Sequence, residues 1–278
     1  MIEDAGGSGR ETYDAVVCGA GIAGIAAAHA LSEAGLKRVL IADPGPPLSL
    51  TSDKSTECYR NWWPGPGDAM VALTNRSIDL MERHARESGN RFLMNRRGYL
   101  FATADESRVA VYEAEALEAA TLGAGPLRRV GGRGGYRPAA ADGFDTPLDG
   151  ADLITDPALI REHFPYLNPQ TKAVLHARRC GSLSAQQLGM YLLERARAAG
   201  ATLAPAAFAG IETSAGKVCG VHLVVDGRLS VVESDTVVLA PGPYLKSCLD
   251  IIGSDLPVSV EKHIKISLSD PRGVVPRT

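Results

Sequence analysis

Residues 13–45, YDAVVCGAGIAGIAAAHALSEAGLKRVLIADPG, decide the fold. The run YDAVVC at 13–18 is a short apolar strand signal. GAGIAG at 19–24 is a glycine-rich turn, and the alanine- and leucine-rich stretch 22–34 reads as a helix. Gly35 stops that helix, and KRVLIA at 37–42 is a second buried strand closed by Asp43, Pro44 and Gly45. A strand, a crossover helix and a second apolar strand require a parallel sheet with helices on its faces, because the right-handed crossover packs back onto the sheet. The class is therefore α/β.

Gly19-Ala20-Gly21-Ile22-Ala23-Gly24 satisfies GxGxxG between a strand and a helix start, which is where the chemistry of a dinucleotide needs it. Gly19 permits the tight turn, Gly21 lets backbone approach a pyrophosphate, and Gly24 lets helix and strand pack closely, while helix amides face the phosphates. Asp43, ending the second strand, supplies an acceptor for a ribose diol and disfavours a 2′-phosphate. FAD and NAD both use this turn, so the fingerprint alone leaves the two open.

Composition sets the outer bounds. At 278 residues two domains are expected. Hydrophobic residues at 45% with charged residues at 22% are those of a folded globular protein. A net charge of −3 gives no bulk field for a phosphate backbone, so no nucleic-acid partner is expected. Cys18, Cys58, Cys180, Cys219 and Cys248 are too scattered for a disulfide framework and contain no CxxC, which fits a reducing cytoplasm. Residues 1–12 are acidic and carry Gly and Ser, unlike a signal peptide, and read as a disordered lead-in. No window reaches the ~18 uninterrupted apolar residues of a membrane span, since the most apolar stretch, 15–31, is interrupted by Gly and His. The histidines show no metal spacing, so no metal is expected.

Downstream, residues 69–87 read as a helix burying Met70, Leu73, Ile78, Leu80 and Met81. FLMNRRGYLFA at 92–102 reads as two short strands, 106–120 as a helix, and the Gly/Pro-rich residues 123–150 as a mobile surface insertion. TDPALIREHFP at 155–165 carries a helix start signal, and 184–199 is a helix capped by Ser184 and ended by Gly200. Runs at 207–212, 217–225 and 228–233, separated by tight turns, form a β-meander. An apolar strand at 236–240 and an alternating stretch at 258–268 follow.

The segment VVCGAGIAGIAAAHALSEAG followed by VLIAD resembles the N-terminus of the FAD-dependent D-amino-acid oxidase, glycine oxidase and sarcosine oxidase family. Similar segments follow in the family's order: TSDKSTECYRNWW, MNRRGYLFAT, HFPYLNP, SAQQLGMYLLERARAAGA, the meander and VVLAPGPYL, together spanning nearly the whole chain. The resemblance implies a Rossmann-like FAD-binding domain with a parallel sheet and a β-meander, from residues 11–90 and 184–255. It also implies a discontinuous antiparallel-sheet substrate domain, from 91–183 and 256–278. Family members are longer, and their C-terminal part has no counterpart here, so that domain is expected to be incomplete.

By the same resemblance, FAD is the cofactor. Gly19, Ala20, Gly21, Ile22, Ala23, Gly24, Asp43 and Pro44 hold its adenosine diphosphate half, and Ser52, Lys54, Ser55 and Thr56 sit over the pyrophosphate and ribityl chain. Phe208 matches a position whose backbone meets adenine, and Ala240 and Gly242 belong to a turn near the dinucleotide in which Pro241 removes one donor. Arg60 matches an arginine that holds a substrate carboxylate bidentately. Glu57 and Cys58 stand where relatives carry other residues, which marks the flavin-facing loop as atypical. Trp62 and Trp63 line an aromatic pocket or simply pack. The implied activity is hydride transfer from the C–H beside an amine nitrogen of a small amine or amino acid to flavin, with oxygen or an electron carrier as final acceptor. The strands near 92–102, 173–180 and 258–268 are expected to roof the substrate. Two other readings stay open at this point: a non-catalytic FAD-binding fragment or assembly protein, and an NAD-dependent dehydrogenase.

Overall fold

The computed structural model describes residues 10–132, 135–145, 148–266 and 269–273. Outside these lie most of the expected lead-in (residues 1–9), four residues of the Gly/Pro-rich stretch (133, 134, 146 and 147), the end of the alternating stretch (267 and 268) and residues 274–278. In chain order the elements are β1 (Ala15–Cys18), α1 (Ile22–Glu33), β2 (Val39–Asp43), α2 (Thr51–Lys54), β3 (Cys58–Arg60), α3 (Ala69–Ser88), β4 (Tyr99–Thr103), α4 (Ser107–Ala119), β5 (Leu127–Val130), β6 (Ala151–Ile154), α5 (Pro157–His163), β7 (Ala173–Ala177), β8 (Cys180–Ser182), α6 (Ala185–Ala198), β9 (Thr202–Pro205), β10 (Ala207–Ser214), β11 (Lys217–Val225), β12 (Arg228–Glu233), β13 (Val237–Leu239) and α7 (Leu245–Ile251). They fall into two compact units, one from residues 1–56 and 185–265, the other from 57–184 and 266–278.

The first unit is built on a parallel sheet of order β13-β1-β2-β9. Ala15, Val16 and Val17 are fully buried, as are Val39 and Ile41, as expected for parallel strands covered on both faces. Successive side chains alternate between those faces. Val16, Cys18, Leu40 and Ala42 share a core with Val221, Leu223 and Val232 of the meander β10-β11-β12. The alternate positions face α1, which packs on both strands and against α6. Of the expected lead-in, Thr12 bridges Glu233 and Arg10 pairs with Glu212.

The second unit carries a sheet of order β4-β7-β6-β5, antiparallel except for the β5–β6 pair, and a small antiparallel pair, β3 with β8. Its residues also alternate. Leu153, Ala173 and Leu175 join Trp62, Val71, Tyr112 and Ala116 on one face, while Ile154 and Val174 join Leu159, Ile160 and Phe164 on the other. Asp156 caps α5 by accepting from the Ala158 amide at 2.8 Å.

Several expectations are corrected. The division between units falls at 56/57 where the sequence suggested 90, because α3 buries Val71 in the core of the second unit. That helix buries Val71, Ile78, His84 and Ala85, whereas Met70 and Leu73 are 46% and 60% exposed, so the apolar stripe is displaced from the expected one. Residues 92–98 hold no strand, and β4 alone forms in that run. The Gly/Pro-rich stretch is not a bare insertion, since it contains β5 and buries Tyr136 and Phe144. Residues 256–266 form no strand despite their alternation, and 256–265 fall with the first unit.

Candidate functional site

The end of β1, the first turn of α1, the end of β2 and the turn after β13 enclose a crevice of about 560 Å³ in the first unit. Gly19 adopts φ +115°, and a Cβ there would stand 2.2 Å from Ala240 O, so the strand-to-helix turn and the β13 turn can touch only through glycine. A Cβ on Gly24 would meet Gly19 O at 1.9 Å, which fixes how closely α1 lies on β1. Gly21 differs. An added Cβ meets only Ser52 Oγ, at 3.4 Å, so the backbone is open toward the crevice.

Hydrogen bonds hold that backbone in place. Asp43 Oδ2 accepts from Ala20 N at 2.7 Å and Oδ1 from Gly45 N at 2.8 Å, so this carboxylate braces both sides of the crevice. A carboxylate has about four acceptor positions, so two amides do not exhaust it for a ribose hydroxyl. Ser52 Oγ accepts from Ile22 N at 3.0 Å and keeps its own O–H as a donor. Leu48 is buried, with φ +61°. Its N–H donates to Ala20 O at 2.9 Å, and its carbonyl accepts from Gln186 Nε2 at 3.0 Å. Ala240 N donates to Cys18 O at 2.8 Å, tying the β13 turn to β1. Burial pushes the Cys18 thiol up to about 12, which keeps it protonated and a packing residue.

The structure brings Gly19, Ala20, Gly21, Ile22, Ala23, Asp43, Ser52, Ser55, Ala240 and Gly242 to the crevice wall. Gly24 packs behind it. Pro44, Lys54, Thr56 and Phe208 are not in the wall. Lys54 pairs with the neighbouring Asp53, whose carboxyl is held below its usual range by Lys54 and then by Gln186. Phe208 packs its side chain on the core between sheet and meander. Leu48, Pro46 and Ala185 line the crevice without having been singled out from sequence, and so do Ser259, Val260 and Glu261.

The second unit holds its own cavity of about 720 Å³, lined among others by Cys58, Arg97, Tyr99, Tyr136, Tyr166 and His163. Its floor is a buried polar chain. His176 Nε2 faces the Arg97 carbonyl at 2.8 Å, so that nitrogen carries the proton, and Nδ1 accepts from Tyr136 OH and Arg178 Nη1, each at 2.8 Å. Arg178 pairs in turn with Asp152 at 3.2 Å. Burial, with the Arg178 cation second, lowers His176 to about 4, and burial pushes Tyr136 up to about 12, so both are neutral near pH 7. Arg60 stacks its guanidinium 4.0 Å from the Trp63 ring centroid and 5.3 Å from that of Tyr99, and is paired with no carboxylate among the described residues. Trp62 packs in the core against Phe101. Among the described residues no group of three His, Cys, Asp or Glu is placed to hold a metal, and no helix is long and apolar enough to cross a membrane.

Residues 14–274 match the family described as FAD dependent oxidoreductase. The chain belongs to this family. Its fold is similar to that of L-proline dehydrogenase from P. horikoshii (20% identity, TM-score 0.70), with 88% of this chain and 56% of that chain covered. It is similar to glycine oxidase from Bacillus cereus (19%, TM-score 0.67, 86% and 59% covered). It is also similar to L-alpha-glycerophosphate oxidase from Mycoplasma pneumoniae with FAD bound (14%, TM-score 0.66, 88% and 58% covered). The chain thus spans under two thirds of the length of these solved relatives. No curated protein matches it. The FAD dependent oxidoreductase family supplies the cofactor class that the crevice alone left between FAD and NAD.

Proposed function

We propose that this chain binds FAD in the crevice of its first unit and that the protein oxidises the C–N bond of a small amine or amino acid. The observation that carries the proposal is the open backbone at Gly21 beside the helix start, braced by Asp43 and Ser52. A pyrophosphate there meets helix-start amides and the Ser52 hydroxyl, and the partial positive charge of the α1 N-terminus favours it. Asp43 then accepts from the ribose while it holds Ala20 and Gly45. Bound FAD supplies the two-electron acceptor.

The remaining work falls to the chain. Arg60, stacked on Trp63 and without a carboxylate partner among the described residues, is proposed to hold the substrate carboxylate through its guanidinium fork. The aromatic wall of the 720 Å³ cavity, with Tyr99, Tyr136 and Tyr166, is proposed to exclude water from the substrate side chain. Oxygen or an electron carrier takes the electrons onward.

The test is reconstitution of the purified chain with FAD, followed by gel filtration and a visible spectrum. A flavin band that travels with the protein, and that bleaches anaerobically with proline, glycine or another amino acid, is expected. A chain that stays colourless overturns the proposal. Bound flavin that no amine or amino acid bleaches leaves a non-catalytic flavin-binding module.

A further inference from the structure

Residues 256–265 carry Leu256, Val258, Val260 and Ile264 at alternate positions, the pattern of a strand, yet they form no strand. These side chains are 48%, 40%, 64% and 80% exposed, so apolar burial does not hold the segment down. What ties it to the rest of the unit is polar: Lys265 Nζ donates to Ser55 O at 2.9 Å, while the bond from Val258 N to Leu256 O at 2.7 Å lies within the segment itself. In this position Ser259, Val260 and Glu261 join the wall of the dinucleotide crevice. Glu261 thus adds an exposed carboxylate, 3.8 Å from His263 Nε2, to the wall of a crevice whose helix-start amides favour an anion, the charge type of a pyrophosphate.

We infer that residues 256–265 are a strap across the dinucleotide crevice, latched by Lys265 on Ser55, that must lift when FAD seats. The inference rests on the reading of the crevice as the FAD site. Two contributions oppose seating: repulsion between Glu261 and the phosphates, and the latch itself. One exposed unit-charge repulsion at a few ångströms is worth about a fivefold change in affinity, and a single exposed hydrogen bond to a charged donor contributes a similar factor.

The test compares the full chain with Glu261→Gln, Lys265→Ala and the double variant. Both side chains are exposed, so all variants fold. FAD affinity is read by quenching of flavin fluorescence, and amide exchange is followed in the peptide 256–265. The expected result is about fivefold tighter FAD binding for each single variant and at least tenfold for the double one, with exchange in 256–265 of the unaltered chain changing on FAD addition. Equal affinity in all four proteins, or exchange in 256–265 that FAD leaves unchanged, overturns the strap and leaves the FAD site standing. If none of the four binds FAD, the crevice reading and the strap fall together.

Discussion

Gly21→Ala and Gly24→Ala make the same change three residues apart on one turn, and the structure assigns them opposite outcomes. At Gly24 the new Cβ stands 1.9 Å from Gly19 O and 2.9 Å from Gly19 C, both backbone atoms, so α1 must shift away from β1. Overpacking of this kind costs about 1–3 kcal/mol, roughly 4–10 °C in melting temperature for a unit of this size. At Gly21 the backbone has φ −73° and ψ 177°, open to any residue, and the nearest atom is Ser52 Oγ at 3.4 Å. Folding stability should then change by less than about 0.5 kcal/mol, or rise slightly through the stiffened unfolded chain. In the proposed FAD site the methyl instead fills the space of the phosphate oxygens, and FAD affinity should fall at least about tenfold, the size of a lost set of charge-assisted hydrogen bonds. Thermal melts by circular dichroism, paired with FAD titrations, read both quantities. A Gly21→Ala protein that melts early yet binds FAD normally would refute the assignment of that space to the cofactor.

Other outcomes follow from the same geometry. Asp43→Ala strands the Ala20 and Gly45 amides and should lower stability by about 2 kcal/mol in urea unfolding, with Asp43→Asn losing less than half of that because one acceptor remains. His176, at about 4 in the folded state against 6.5 in the open chain, is neutral where the unfolded state takes up a proton. Stability should therefore be full above about pH 6.5 and decline as the pH falls to about 4, by on the order of 3 kcal/mol from this group. Urea midpoints for the native chain and His176→Gln at pH 7 and pH 4.5 should converge at the lower pH, and parallel profiles would count against the neutral imidazole. Arg60→Lys keeps the charge but loses the planar fork and the stack on Trp63, so the flavin-reduction assay should show KM raised at least about tenfold with stability little changed. An unaltered KM would remove Arg60 from the substrate.

Where neighbouring residues in sequence are also partners in space, the fold was readable. The βαβ unit, the capped α5, the helix α6 and the meander each close on themselves within a few tens of residues, and local periodicity reports them faithfully. The crevice was legible for the same reason, since its turn, Asp43 and Ser52 lie within one βαβ unit and its following loop. What failed depended on distant partners. β5 offers only Leu127 and Val130 as apolar signals and exists because it pairs with β6 beyond a glycine-rich stretch. The buried stripe of α3 is set by the turn at 120–124 and the core cluster that takes Val71, so Met70 and Leu73 are exposed although they fit a helical period. Residues 258–266 have the alternation of a strand and no ladder to join, because pattern specifies a face and not a neighbour.

The parallel sheet of the first unit pairs β1 directly with β13, joining Val16 to Val237. The ribosome therefore releases the opening βαβ segment long before the strand that completes its other edge has been synthesised. During that interval an apolar strand edge and the glycine turn stay unsealed in the nascent polypeptide, a hazard for aggregation. Closure of the crevice by the β13 turn must wait for those late residues, so translation rate and chaperone supply during biosynthesis would bear on the yield of folded protein in a host cell.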